Sequence, residues 1–171
     1  MKKGSYTFII LLCVALFSCN KQAPQLPSNK VVVDNSKANT MLAINQDLAA
    51  KEDSLLNILV KKKYNSFSKS DMGCWYKIEQ PGKGKKINDK SVCSFSYKLM
   101  LTNGKVVESG KNQVTIGKNQ IVNGLEESMK LLREGDSATI IIPWYLGYGM
   151  KGKEPKIPPY TSIIYQIKIS E

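Results

Sequence analysis

The chain contains no histidine among its 171 residues, and that absence closes most routes to covalent chemistry. Ser-His-Asp and Cys-His nucleophile systems, His-ligated zinc and the HExxH motif are excluded. Neither GxGxxG nor a phosphate-binding GxxxxGK run occurs, so nucleotide chemistry has no support. The informative stretch runs from Gly117 to Ile167. It holds an apolar pair, Ile121 and Val122, a loop punctuated by Gly147, Gly149 and Gly152 around Tyr148, and the Ile157-Pro158-Pro159 turn. Those side chains offer apolar surface and a phenolic hydroxyl.

Such residues need a scaffold, and the flanking pattern predicts one. Val114 to Ile116 ends a strand before Gly117. A helical run from Leu125 to Leu132 starts at Asn123 or Gly124, carries Glu126 and Glu127 in its first turn and closes at Gly135. Apolar strands follow at Ala138 to Ile142 and Ser162 to Ile169. Upstream, Trp75, Tyr76 and Ile78 precede a turn at Pro81-Gly82-Lys83-Gly84. Val92 to Leu101 alternates around Phe95, Tyr97 and Leu99, and Asn103-Gly104 makes a hairpin turn. The next strand begins at Val106 to Glu108 and resumes at Gln113 after an interruption at Gly110. The expectation is an α+β domain, a twisted antiparallel five-stranded sheet wrapped on one short helix.

The formal charge of +11 raises the question of a nucleic-acid partner. Its distribution answers it: residues 20–90 hold 13 Lys/Arg against 7 Asp/Glu, and residues 91–171 hold 10 against 7. No face is dominated by one sign, and no nucleic acid is expected.

Residues 1–18 read as a lipoprotein signal peptide, with the signal of an ordinary secreted protein or an N-terminal membrane anchor as the alternative. Lys2 and Lys3 precede an apolar run, Thr7 to Phe17, that is too short to span a bilayer comfortably. Leu16-Phe17-Ser18-Cys19 resembles a bacterial lipobox, which implies diacylation of Cys19 and a lipid tether to a membrane. Residues 19–35, with Pro24 and Pro27, read as a flexible tether. In the 36–68 segment Met41, Ile44, Leu48, Leu55, Ile58, Leu59 and Tyr64 recur at spacings of three and four, interrupted at Lys51-Glu52, which predicts an N-terminal amphipathic helix. Lys61, Lys62 and Lys63 fall in its last turn, where the helix dipole favours cations. The stripe either packs on the chain's own domain at 69–171, serves as a spacer, or forms a homodimer through residues 39–64.

Ile116-Gly117-Lys118, Ile121-Val122-Asn123-Gly124-Leu125-Glu126-Glu127, Leu146-Gly147-Tyr148-Gly149 and Ile157-Pro158-Pro159 together resemble the motif segments of FKBP-type peptidyl-prolyl isomerases. The resemblance covers about Cys74 to Glu171 and is nearest to the envelope lipoproteins associated with gliding motility. It implies an isomerase of X-Pro bonds without a cofactor, assisting exported proteins. Its partners would be proline-containing polypeptides and the family's macrolide inhibitors. Its place would be the cell envelope, facing the periplasm, with the outer membrane preferred over the inner. A non-catalytic chaperone or binding module, or a structural component of an envelope complex, is the alternative on the same fold.

Carried over, the resemblance makes Tyr148, Tyr97 and Glu108 the polar catalytic set. Tyr148 and the Val122 amide would donate to substrate carbonyls. The pocket wall becomes Val107, Ile121, Val122, Leu125, Ile157 and Tyr165. Where the family typically has Phe, Asp and Phe, this chain has Val107, Glu108 and Tyr165. The resemblance also places Cys74 and Cys93 on strands with two others between them. That distance is too great for a disulfide, because strands lie ~4.8 Å apart and the bond needs Cα atoms within ~7 Å. Both are therefore expected as buried free thiols.

Overall fold

In a computed structural model, residues 35–64 and 66–171 are described; the signal segment, Cys19 and most of the tether lie outside them. The chain divides into Met1–Thr40 and Met41–Glu171, and the whole sheet belongs to the second unit. Helix α1 spans Asn35–Lys63. The strands are β1 (Ser68–Lys69), β2 (Trp75–Gln80), β3 (Val92–Leu101), β4 (Val106–Thr115), β5 (Ser137–Ile142) and β6 (Ile163–Ile169), with a short helix α2 (Asn123–Met129) between β4 and β5. They form one sheet in the order β1-β2-β5-β6-β3-β4, and every paired neighbour is antiparallel.

The sheet has six strands where five were expected. The extra one, β1, is two residues pairing Ser68 with Tyr76 and Lys69 with Trp75, too short for any alternation to announce it. Two local readings also change. β4 runs unbroken through Gly110, which pairs with Tyr97, and the register shift falls at Val107, between the Leu99–Glu108 and Met100–Val106 pairs. Cys74 sits one residue before β2, and β5 and β6 do lie between it and β3. Cys74 and Cys93 are both free and buried. Burial raises the Cys74 thiol to about 11, so it is held protonated.

Strand alternation sends successive side chains to opposite faces, and here it sorts them into two cores. Ala138, Ile140 and Ile142 of β5, Ile163, Tyr165 and Ile167 of β6, and Phe95 and Leu99 of β3 pack with Leu125 and Met129 of α2. The residues between them, Ile141 and Ile164, pack with Leu56 and Val60 of α1, joined by Trp75 and Met100. Register makes this second set a row across four strands: Trp75 opposite Ile141, Ile141 opposite Ile164, Ile164 opposite Met100. The next row on that face is Lys77, Thr139, Gln166 and Lys98. α1 therefore docks where the row is apolar and not where it is polar, but through Leu56 and Val60; of the expected stripe only Leu59 and Tyr64 join this contact, while Met41, Ile44, Leu55 and Ile58 are exposed.

α2 starts close against β5. A Cβ on Gly124 would lie 2.5 Å from Ile142 Cγ2 and 3.0 Å from Cys74 Sγ, so only glycine lets the helix approach this far. α2 also stops at Met129, sooner than its apolar run suggested, and continues as single turns to Leu132. Seven residues at ~1.5 Å rise make a helix of roughly 10 Å, whereas six strands at ~4.8 Å span roughly twice that. α2 cannot cover the sheet, and the β6-β3-β4 side is left to loops.

Candidate functional site

Over that uncovered side lies a cavity of about 350 Å³. Phe95 and Tyr97 from β3, Glu108 and Asn112 from β4, and Tyr165 from β6 rise from the sheet. Asn119 to Val122 from the β4–α2 loop, Leu125 from α2, and Tyr148 and Lys153 from the β5–β6 loop complete the lining. The sheet positions are fixed by register: Glu108 faces Leu99, Gly110 faces Tyr97, Asn112 faces Phe95, and Leu99 faces Tyr165. Opposed residues share a face, so β3, β4 and β6 all present these side chains to the same side. Tyr97 and Tyr165 pack with ring centres 5.9 Å apart, and Phe95 and Tyr97 at 6.0 Å.

The polar groups form a connected rim. The Tyr97 hydroxyl donates to Glu108 Oε1 at 2.6 Å, and Lys153 Nζ donates to Glu108 Oε2 at 3.0 Å. Lys156 approaches the same carboxylate at 3.7 Å. The Tyr97 hydroxyl and then the Lys153 ammonium hold the Glu108 carboxyl below its ordinary range. Reciprocally, the bond to Glu108 raises Tyr97 to about 12, and the same carboxylate raises Lys153. The Tyr148 and Tyr165 hydroxyls stand 3.4 Å apart, and Lys153 Nζ lies 5.6 Å from the Tyr148 ring centre. Burial, followed by that hydroxyl neighbour, pushes the Tyr165 phenol up. The Tyr97 and Tyr165 phenols are thus held protonated, and the Glu108 carboxylate is held ionised against Lys153.

Tyr148, Tyr97, Glu108, Ile121, Val122, Leu125 and Tyr165 are brought together as cavity lining. Two residues expected in the wall are not. Val107 is the extra residue of the β4 bulge, half-buried against the same core but not part of the lining. Ile157 is fully buried in the core and acts on the site only at one remove. It exchanges two backbone hydrogen bonds of 2.8 Å with Lys153, so it anchors the loop that carries the lysine. That exchange requires Gly152, whose φ is +68° and whose Cβ would lie 2.3 Å from the Ile157 carbonyl.

Sequence reasoning missed Phe95, Asn112, Asn119, Gln120 and Lys153 as lining. Phe95 and Asn112 were legible in principle, since each keeps the parity of a named residue, Tyr97 or Glu108. Lys153 was not, because it reaches Glu108 only through the path of a loop. Glu126 was read as a helix-start charge, yet it is 3% exposed. It accepts the N–H groups of Gly117 and Lys118, and so ties the β4–α2 loop to α2. The Val122 N–H has no acceptor among the described residues, which leaves it available at the cavity.

Residues 83–170 match the family described as FKBP-type peptidyl-prolyl cis-trans isomerase. Similar proteins include a "Probable FKBP-type peptidyl-prolyl cis-trans isomerase" of Haemophilus influenzae, 32% identical over 100 residues, covering 57% of this chain and 42% of that protein. A "Probable FKBP-type peptidyl-prolyl cis-trans isomerase FkpA" of Neisseria meningitidis serogroup B is 33% identical over 100 residues, 57% of this chain and 37% of that one. The chain thus spans less than half the length of these two relatives. In fold it is similar to a peptidyl-prolyl cis-trans isomerase from Pseudomonas syringae pv. tomato, with a TM-score of 0.64 at 17% identity, covering 74% of this chain and 93% of that one. The chain belongs to the FKBP-type peptidyl-prolyl cis-trans isomerase family.

Proposed function

We propose that this protein catalyses cis-trans isomerisation of X-Pro bonds in exported polypeptides, as a lipid-anchored protein of a bacterial envelope facing the periplasm. The observation that carries the activity is the cavity itself: three aromatic walls and Leu125 beneath phenolic hydroxyls, with no histidine and no activated nucleophile. X-Pro isomerisation takes tens to hundreds of seconds unaided, because turning the bond costs resonance. An apolar site that strips water from the imide disfavours the polarised planar bond relative to the twisted one. A prolyl ring resting against Tyr97, Tyr165 and Leu125 would be so desolvated. Tyr148, whose hydroxyl stands 3.4 Å from that of Tyr165 and is also approached by the Lys153 ammonium, would donate to a substrate carbonyl, and the Val122 amide to another. Tyr97 and Glu108 lock each other and orient the rim. The same cavity would take the family's macrolide inhibitors.

The envelope placement rests on the sequence alone: the basic start, the short apolar run and Leu16-Phe17-Ser18-Cys19. Among the described residues no helix is long and apolar enough to cross a membrane, so the lipid on Cys19 would be the attachment. Association with a gliding apparatus is a narrower reading of the same resemblance.

Turnover of a short X-Pro peptide by the full chain, in an assay without a coupling protease, tests the activity. Catalysis inhibited by a macrolide is the expected result. Peptide binding without turnover would leave a non-catalytic chaperone, the reading that Glu108 and Tyr165 in place of Asp and Phe favour. For the anchor, fatty-acid label should enter wild type and not Cys19→Ser; label retained in the variant would refute lipidation at Cys19.

A further inference from the structure

α1 does more than cover Ile141 and Ile164. Two consecutive carboxylates on it, Glu52 and Asp53, meet the segment that leads to Tyr148. The buried Ser162 hydroxyl donates to Glu52 Oε1 while accepting the Trp144 N–H at 3.0 Å. One residue on, the Tyr145 hydroxyl donates to Asp53 Oδ1 at 2.7 Å, and Lys69 Nζ approaches the other oxygen at 3.5 Å. Burial, then the Asp53 bond, raises Tyr145 well above the ordinary phenol range, so it stays a donor at every working pH.

Trp144 passes this hold to the loop. Its carbonyl accepts the N–H groups of Gly147 at 3.1 Å and Gly149 at 2.9 Å, the residues on either side of Tyr148. Its ring packs edge-on to Tyr145 and Tyr160, at 5.6 and 4.9 Å, and the Tyr160 N–H returns to the Gly149 carbonyl at 3.1 Å. The loop needs an outside hold because it is built on glycine: Gly149 and Gly152 have φ of +66° and +68°, and glycine backbone is the least self-restrained. A hydrogen-bonded path therefore runs from α1 to both flanks of Tyr148.

Building on the isomerase reading above, we propose that Glu52 and Asp53 are positioning residues: α1 fixes the Trp144–Gly149 turn and thereby the Tyr148 hydroxyl, so the N-terminal helix is part of the catalytic apparatus. A donor displaced by about 1 Å loses much of its effect on the reacting group. Cutting the two carboxylates should therefore cost activity without disturbing the cavity lining.

The test compares full-chain variants by two readouts, kcat and KM on an X-Pro peptide and amide hydrogen exchange at Gly147 and Gly149. The double variant Glu52→Ala/Asp53→Ala should lower kcat/KM about five- to tenfold, chiefly through kcat, and speed exchange at both glycines. Asp53→Asn keeps a carbonyl oxygen for the Tyr145 hydroxyl and should stay within about twofold of wild type. Val60→Ala, in the apolar part of the same docking contact, should lower the unfolding midpoint yet leave both readouts unchanged. Wild-type kcat/KM and exchange in the double variant would overturn the proposal. So would Val60→Ala reproducing the loss, since docking in general and not these carboxylates would then be responsible. If the wild type turns over no X-Pro peptide, the isomerase reading fails by itself, and exchange at Gly147 and Gly149 still decides whether α1 holds the loop.

Discussion

The two faces of the sheet are covered by helices, and the covers do opposite things. On one face, α1 meets a row of Trp75, Ile141, Ile164 and Met100 with Leu56 and Val60. On the other, the seven-residue α2 fills the centre with Leu125 and Met129 but stops short, and loops roof the remainder around a cavity of about 350 Å³. A long helix on a short apolar row yields a docked brace; a short helix on a wide apolar face yields a pocket. The difference lies in coverage, since the strands supply apolar residues to both faces.

The largest expected effect probes that contrast at adjacent positions. Ile140 and Ile141 are both fully buried, one on each face. Ile140→Ala and Ile141→Ala should each cost about 2 to 5 kcal/mol in urea denaturation. Combining Ile141→Ala with Leu56→Ala should cost less than the sum, whereas Ile140→Ala with Leu56→Ala should be additive. A loss under about 1 kcal/mol for Ile141→Ala would mean that α1 does not cover that face.

Next in size is the donor. Tyr148→Phe removes a hydrogen bond worth ~0.5 to 1.5 kcal/mol and should lower kcat/KM at most about tenfold. Tyr165→Phe removes only the hydroxyl 3.4 Å away and should stay within about threefold. A larger loss at Tyr165 would exchange the two roles.

The smallest effect concerns the rim. Glu108 is depressed below its ordinary 4.5, so the stability it lends is present above that value and is lost as pH falls through its lowered pKa. Tyr97 is raised from 10.0 to about 12, so its share is present below 10.0 and is lost on the way up to about 12. Between those limits kcat/KM should be flat from about pH 6 to 9, and Glu108→Gln should lower it only a few fold without adding a slope. A bell-shaped profile, or an inactive but folded Glu108→Gln, would mean proton transfer and would sink the desolvation mechanism.

Much of this was legible beforehand, and the exceptions are instructive. The span of β3 follows from its alternation, and the lining at Tyr97, Ile121, Val122, Leu125, Tyr148 and Tyr165 from a family likeness of several segments together. Val107 packs on the core face beside Glu108, as the bulge allows, yet stops short of the lining, and nothing in composition marks that. Ile157 was misplaced because an apolar residue beside a prolyl turn reads alike as wall or as core. The docking of α1 was not legible, because Trp75, Ile141, Ile164 and Met100 align only once the register is known, and Leu56 and Val60, which meet them, lie off the expected stripe.

The sequence alone determined most of the elements, β1 excepted, and the histidine chemistry that is absent. Alternation, the Asn103-Gly104 turn and the missing histidine are local or compositional facts, and each acts through neighbours along the chain. Tertiary structure decided everything that depends on residues far apart in sequence. It chose the face on which α1 lies, with Asp53 bonded to Tyr145 across 92 positions. It brought Lys153 to Glu108 across 45, and it left the cavity where α2 runs out. Such contacts are set by strand register and loop path, and these are fixed only when the whole sheet closes.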